Sequence, residues 1–476
     1  MLRRTKIVAT LGPATDDPAV LTDMIRAGVD VVRVNFSHGR FEDHAQRIGR
    51  VREAAERAGR YVGILGDLRG PKIRIERFAT GRVELKEGDH FALDPALDPE
   101  AGTAAGVGVA YPDLPRDVKA GDTLLLNDGL IALRVTGVAG TRIDTVVTVG
   151  GELSNQKGLN KKGGGLSAAA LTDKDRSDIR MAAELGVDYL AVSFVRSAAD
   201  VEEARGLLKA AGGHARIMAK IERGEAIQNL EEIVRASDAV MVARGDLGVE
   251  VGYAQLTGLQ KRIIQLARRH NRIAVTATQM MESMITNPVP TRAEVSDVAN
   301  AVMDDTDAVM LSAETAVGRY PVKVVQEMAQ VIEGAEKWHH SHARERHRID
   351  GYFKGTDEAI AMAVMYTANH LNVKAIVALT ESGSTTLWMS RIRSDIPIYA
   401  FTRQEATRRR VTLYRGVQPI AFDVVQTDPE ILYPTIFHLV IELGLARAGD
   451  LIIVTKGELT GVAGGTNSMK ILEVRN

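Results

Sequence analysis

Residues 216–251, RIMAKIERGEAIQNLEEIVRASDAVMVARGDLGVEV, set two short apolar runs around an acidic helix pattern. The first run ends in Lys220-Ile221-Glu222, and the second, residues 239–243, stops at Arg244-Gly245-Asp246-Leu247-Gly248. Residues two apart on a strand face the same way, so Lys220 and Glu222 present an ammonium and a carboxylate on one face. If the two strands are parallel neighbours, their ends bring Lys, Glu, Arg and Asp to one place. Two carboxylates with water and substrate oxygens suit Mg²⁺ or Mn²⁺. A nearby Lys and Arg suit a phosphoryl group or an enolate. From these residues alone, a pair of strand-end salt bridges is the plainer alternative.

The same alternation continues in both directions. Upstream, apolar runs at residues 6–9, 29–34 and 61–65 are separated by helix patterns at 19–27 and 41–58. The pattern then breaks until a helix at 173–185 and a fourth run at 188–194. Downstream, a helix at 254–270 leads to a run at 273–278, and a helix at 292–304 leads to one at 307–312. Eight strands alternating with helices predict an α/β fold, a (β/α)₈ TIM barrel with an enlarged third βα loop. A doubly wound open sheet is the rival.

Barrel segments are placed at 1–70 and 168–345. The insertion, residues 71–167, reads differently: DTLLLNDGLIALRVTGV and RIDTVVTVGGEL are short alternating runs set off by Gly-Asp and Asn-Asp-Gly turns. That pattern predicts a small β-barrel or sandwich, positioned to act as a lid, with residues 155–165, NQKGLNKKGGG, as its hinge. After a helix at 321–335 the run HHSHARERHRIDGYFKG is polar, and a boundary is placed near Asp350. His339, His340, His342 and His347 read as a surface linker rather than a metal cluster. Apolar runs at 375–379, 398–401, 417–421, 451–455 and 470–474 make residues 350–476 a C-terminal α/β domain.

Bulk properties narrow the function classes. Charge is balanced, 60 basic against 61 acidic residues over 476, with no basic stripe to suggest nucleic acid. There is no cysteine, which removes disulfides, thiolate metal sites and a Cys nucleophile and fits a reducing cytoplasm. No apolar span reaches transmembrane length and the N-terminus lacks a signal-peptide core, so a cytoplasmic protein without a membrane partner is expected.

In a barrel of this kind chemistry sits at the C-terminal ends of the strands. Those ends carry Thr10; Arg33, Asn35 and Ser37; Asp67; Lys220 and Glu222; Arg244 and Asp246; Thr276 and Thr278; and Ser312, Glu314 and Thr315. One or two would be caps or turns; so many on one rim point to an active site. Gly245 and Gly248, read as a loop around Asp246, would let a ligand approach the backbone. Carboxylates, cations and hydroxyls together suit metal-assisted phosphoryl transfer. No GxxxxGK[ST] motif is present, which excludes a P-loop enzyme.

Long stretches make the resemblance specific: TKIVATLGPAT, VVRVNFSHG, GDLRGPKIR, MAKIERGEAIQNLEEI, DAVMVARGDLGVE, ATQMMESMI, PTRAEVSDVANAV and DAVMLSAETAVGRYP. The chain resembles the pyruvate kinase family. The resemblance implies a barrel, a β lid, a C-terminal α/β domain and a homotetramer. It implies transfer of the phosphoryl group of phosphoenolpyruvate to ADP, giving pyruvate and ATP, the last step of glycolysis. Arg33 resembles the arginine that binds the transferring phosphoryl group, and Lys220 the lysine that stabilises the transition state. Glu222 and Asp246 match Mg²⁺ ligands. Gly245, Asp246 and Thr278 match contacts to the substrate carboxylate, with Thr278 and Ser312 implicated in protonating the enolate. Asn35, His38 and Arg74 resemble nucleotide contacts. Two further readings are a Mg²⁺-dependent phosphoenolpyruvate or pyruvate lyase and a metabolite sensor without catalysis.

Many relatives bind K⁺ through residues matching Asn35, Ser37, Asp67 and a following threonine. Here that last position is Leu68, and Lys72 stands where such relatives carry glutamate. A lysine ammonium supplies the same single charge as a monovalent cation. With Ile75, these residues resemble a branch that needs Mg²⁺ but not K⁺. In the C-terminal domain, Thr380-Glu381-Ser382-Gly383-Ser384-Thr385 reads either as a capped helix start or as a phosphate cradle. The resemblance favours a phosphorylated effector there, with residues 456–465 closing over it.

Overall fold

A computed structural model describes residues 2–342, 353, 355–423, 428–457 and 465–476. The boundary near Asp350, His347 and most of the segment 456–465 lie outside the described residues.

Eight parallel strands close into a barrel. They are Lys6–Thr10, Val31–Asn35, Gly63–Asp67, Tyr189–Val192, Arg216–Ile221, Ala239–Ala243, Ile273–Ala277 and Ala308–Leu311. Closure comes from pairing of the first with the last, Lys6 opposite Ala308 and Ala9 opposite Leu311. Strands buried on both faces read as unbroken apolar runs, and here almost every strand residue is buried. Caps fix where the helices begin. Thr172 accepts from the Asp175 N–H while the Asp175 carboxylate reaches back to the Thr172 N–H, 2.9 Å away; Thr291 and Glu294 repeat the arrangement.

Between the third and fourth barrel strands the chain forms a six-stranded sheet and a two-stranded sheet. They pack on their own apolar core, which includes Leu93, Leu124, Leu133 and Ile143. The C-terminal part holds a five-stranded sheet with Val373–Leu379 at its centre and Thr466–Glu473 as an antiparallel edge. Its core is continuous with the barrel interior, where Val8, Leu65, Met218 and Met241 belong to the same cluster as Ile376 and Leu413. The polar ties are also internal. Buried Lys6 donates through Nζ to the Val417 carbonyl at 2.7 Å, and Tyr189 donates through its hydroxyl to the Arg410 carbonyl at 2.7 Å. Arg391 pairs with Asp307, both side chains almost fully buried.

Three segments differ from the sequence reading. A helix at Ala198–Ala210 follows the fourth strand. A helix at Arg244–Val251 starts directly at the end of the sixth strand, so Gly245 and Gly248 lie in helix rather than loop. The helix expected to end at residue 335 runs on to His342, through part of the polar stretch. No helix among the described residues is long and apolar enough to cross a membrane.

Candidate active site

Barrel closure places the third, fourth, fifth and sixth strands side by side, so their C-terminal ends share one stretch of rim. Lys220 lies at its centre. Its Nζ is 3.0 Å from Glu222 Oε1 and 3.4 Å from Asp67 Oδ1, and it donates to Ser193 Oγ at 2.7 Å. Burial alone would pull the ammonium down, but Asp67 and Glu222 outweigh it and hold Lys220 above the ordinary lysine value. On the other side of Asp67, Arg33 Nε donates to Oδ2 at 2.6 Å. Burial pushes the Asp67 carboxyl up, and the two cations overcome that to keep it below its usual range.

Glu222 behaves in the opposite way. Burial raises its carboxyl, Lys220 offsets part of the rise, and the neighbouring Asp246 carboxylate adds to it. Two carboxylates facing one opening with residual repulsion are a natural seat for a divalent cation. No cluster of three or more His, Cys, Asp or Glu side chains suited to a metal occurs among the described residues. A two-carboxylate site that leaves the remaining positions to water and ligand oxygens suits Mg²⁺ or Mn²⁺, and the donor set therefore fits the ion.

The lid reaches this opening through both of its linkers. On the outgoing side, Lys72 Nζ is 3.0 Å from Asp246 Oδ1. Its charge thus enters the rim at the sixth strand, whereas Asp67 is met by Arg33 and Lys220. Leu68 is buried at 2% exposure, with only its backbone in polar contact: its N–H donates to Ala191 and its carbonyl accepts from Ser193. Asn35 Oδ1 accepts from the Ser37 N–H at 3.1 Å, His38 is exposed, and Arg74 Nη1 donates to the Gln156 carbonyl in the lid at 2.9 Å.

On the return side, the residues directly after Glu222 hold the linker. Arg223 Nη1 donates to the carbonyls of Leu166 and Ala168 at 3.3 and 3.2 Å, and its guanidinium lies over the Phe194 ring at 5.4 Å. Glu225 accepts from the Gly165 N–H. The Phe194 N–H in turn donates to Glu222 Oε2 at 2.8 Å.

At the seventh strand, Thr278 has φ 69, a conformation costly for a β-branched residue and concentrated at functional sites. Its Oγ1 accepts from the Gly245 N–H at 2.8 Å, joining the seventh strand end to the helix that carries Asp246. Ser312, after the eighth strand, donates its N–H to Glu314 Oε2 at 2.6 Å. Arg244 is not part of the opening. Its guanidinium is buried, 2.7 Å from Asp297, and donates to the Thr278 carbonyl at 2.7 Å.

The model for the pyruvate kinase barrel domain matches residues 2–325, and that for the pyruvate kinase alpha/beta domain matches residues 358–472. The chain belongs to the pyruvate kinase family. It is 55% identical over 477 residues to pyruvate kinase II of Salmonella typhimurium, covering 99% of each chain. It is 52% identical over 460 residues to a pyruvate kinase of Haemophilus influenzae, covering 96% of each. With a pyruvate kinase of Geobacillus stearothermophilus it shares 43% over 476 residues, 99% of this chain and 80% of the relative. It is therefore an enzyme of the pyruvate kinase type, which uses a divalent metal; the lyase and sensor readings are not favoured.

For a pyruvate kinase, the fourth strand end is the part that sequence reasoning passed over. Ser193 and Phe194 touch Lys220 and Glu222 directly, and Arg223 ties the lid to the same residues. The signal was present as Ser-Phe directly after an apolar run, but such a pair reads equally well as a cap and a core aromatic. Far from the rim, Gly383 has φ +82 and donates its N–H to Thr380 Oγ1 at 2.9 Å. Ser382 and Ser384 meet through their hydroxyls at 3.3 Å, and Thr385 Oγ1 is 2.6 Å from Thr466 Oγ1.

Proposed function

We propose that this chain catalyses the pyruvate kinase reaction with the rim around Lys220 as its active site. A terminal phosphate oxygen of ADP forms a bond to the phosphorus of phosphoenolpyruvate, and the bond from phosphorus to the enol oxygen breaks. ATP leaves, and the enolate takes a proton on carbon to become pyruvate. A divalent cation, Mg²⁺ or Mn²⁺, held by Glu222 and Asp246 would supply positive charge against the substrate oxyanions. Arg33 and Lys220 meet the phosphoryl oxygens as charge redistributes, a task worth several kcal/mol where fixed cations replace water. Gly245, Asp246 and Thr278 receive the substrate carboxylate. Thr278, with Ser312 and water, carries the proton. Asn35, His38 and the lid residue Arg74 contact the nucleotide phosphates.

Lys220 carries this reading: a buried ammonium held in its charged form by Asp67 and Glu222 at the barrel rim. K⁺ is not required in this proposal, because Leu68 offers no ligating side-chain atom and Lys72 brings a fixed charge to Asp246. The enzyme works as a cytoplasmic homotetramer, with Thr380, Ser382, Gly383, Ser384 and Thr385 receiving a phosphorylated effector. The test is pyruvate release from phosphoenolpyruvate with and without ADP, Mg²⁺ and K⁺. ADP- and Mg²⁺-dependent release in tetramethylammonium salts is expected. Release without ADP would overturn the kinase reading, and activation by KCl of about tenfold or more, about 1.4 kcal/mol, would overturn K⁺ independence.

A further inference from the structure

The fourth barrel strand ends in a turn, Ser193-Phe194, whose backbone is strained. Phe194 has φ 55, a conformation that an aromatic residue rarely adopts and that is concentrated at functional sites. Gly70, the last residue before the lid, packs against this turn: a Cβ built there would lie 2.8 Å from Ser193 Cβ and 2.9 Å from Phe194 Cδ2. Gly70 itself has φ +66, and its N–H donates to Asp175 Oδ1 at 3.0 Å. The Arg223 guanidinium lies over the Phe194 ring. Held by these contacts, the turn meets two residues of the rim at once. The Phe194 N–H donates to Glu222 Oε2 at 2.8 Å, and Ser193, 1% exposed, accepts from Lys220 Nζ at 2.7 Å.

We propose that Ser193 is a positioning residue for the reaction: its hydroxyl oxygen fixes where the Lys220 ammonium stands when it meets the transferring phosphoryl group. The proposal rests on the reading of Lys220 as the transition-state cation. A serine hydroxyl carries one hydrogen. Ser193 gives that hydrogen to the Leu68 carbonyl at 2.8 Å, so a lone pair is left to face Lys220. The Leu68 backbone is itself pinned, its N–H donating to the Ala191 carbonyl at 3.0 Å. The oxygen is therefore an acceptor locked to the ends of two barrel strands. An ammonium has three hydrogens, and three acceptors surround this one: Ser193, Glu222 at 3.0 Å and Asp67 at 3.4 Å. The carboxylates keep Lys220 charged, but Asp67 is shared with Arg33, and Glu222 with the Phe194 N–H and the proposed metal. Ser193 is the neutral acceptor reserved for the ammonium, and it sets position where the carboxylates set charge.

Steady-state kinetics of the full-length parent, Ser193→Ala and Ser193→Cys test this, with phosphoenolpyruvate affinity measured by calorimetry in Mg²⁺ and with melting curves of each protein. Alanine removes the acceptor and leaves a small gap; cysteine fills the space with a thiol that accepts only weakly. Both variants are expected to fold, to bind phosphoenolpyruvate like the parent, and to lose about 10–100-fold in kcat, the scale of a misplaced catalytic group. A role confined to packing moves stability instead of this split between turnover and binding, and cysteine would relieve it. Parent-like kcat in Ser193→Ala overturns the proposal, as does recovery of kcat in Ser193→Cys. Two variants that both fail to fold make Ser193 a structural residue and overturn it as well. An inactive parent overturns the kinase reading itself, which separates the two failures.

Discussion

Lys72, in the outgoing linker of the lid, stands 3.0 Å from Asp246 Oδ1 at the end of the sixth barrel strand. One lid residue thus neutralises one of the two carboxylates proposed to hold the divalent cation. The side chains are 28% and 21% exposed, so water screens the pair and its worth to stability is modest, about 1 kcal/mol or less. In the proposed reaction it fixes a charge where substrate oxyanions arrive.

Replacing that charge is expected to change the ion requirement. Lys72→Met should lose about tenfold or more in kcat/KM in tetramethylammonium salts, equivalent to about 1.4 kcal/mol, and KCl should restore part of it. Initial rates over a KCl series check this. A variant that works equally well at every KCl concentration would mean that Lys72 takes no part in the site.

Lys220→Met removes the ammonium and leaves Asp67 and Glu222 facing each other without it. Turnover should fall by about 10²–10³-fold or more, the scale of a lost transition-state donor. Phosphoenolpyruvate binding, read by fluorescence or calorimetry, should change far less. Near-normal turnover would contradict the assigned role.

Arg223 is a positioning residue. Arg223→Met leaves the Leu166 and Ala168 carbonyls without their guanidinium donor, at a cost of about 1–3 kcal/mol. Urea denaturation measures this, and limited proteolysis should cut the variant faster between residues 155 and 168. Unchanged stability together with unchanged proteolysis would show that the return linker is held by other contacts.

Glu250 makes the junction between lid and barrel sensitive to pH. Its carboxylate accepts from the Gly224 N–H at 2.8 Å and from Asn160 of the lid at 3.4 Å. Burial first, and then Glu225, push it up to about 7 from 4.5, with the Gly224 N–H and Asn160 opposing. A carboxyl raised in the folded state favours folding while protonated. Its contribution is fully present below the unfolded value and is lost as pH rises through about 7, by at most roughly 3 kcal/mol. Glu250→Gln keeps an acceptor and removes the titration, so melting temperature against pH should flatten across that window. An unaltered slope would place the pH dependence elsewhere.

The legible and illegible parts of this molecule divide along physical lines. Parallel strands buried on both faces announce themselves as apolar runs, and a polar residue directly after such a run marks the rim. Lys220, Glu222, Asp67 and Thr278 were legible for that reason. Ser193 and Phe194 were not, since their role consists of through-space contacts with a lysine and a glutamate one strand away. Arg244 shows the converse. Its neighbours Gly245 and Asp246 suggested a cation for the substrate, yet the side chain turns back into the protein toward Asp297. Adjacency in the chain says nothing about which way a long side chain folds once a helix begins at that residue. The helix itself was hidden by two glycines, whose low propensity was overruled by packing.

The base of the barrel has a consequence for how the molecule comes apart. Lys6 directs its buried ammonium to the carbonyl of Val417, and Asp307 is met by Arg391; in each case one partner belongs to the barrel and the other to the C-terminal sheet region. Severing the two would take the Lys6 ammonium from its carbonyl acceptor, split the buried Asp307–Arg391 ion pair, and expose to water the apolar cluster that the barrel interior shares with the C-terminal sheet. The halves are therefore not modular. Calorimetry should record one cooperative melting event, and a gene cut at the connecting segment should yield insoluble fragments instead of a free-standing catalytic barrel.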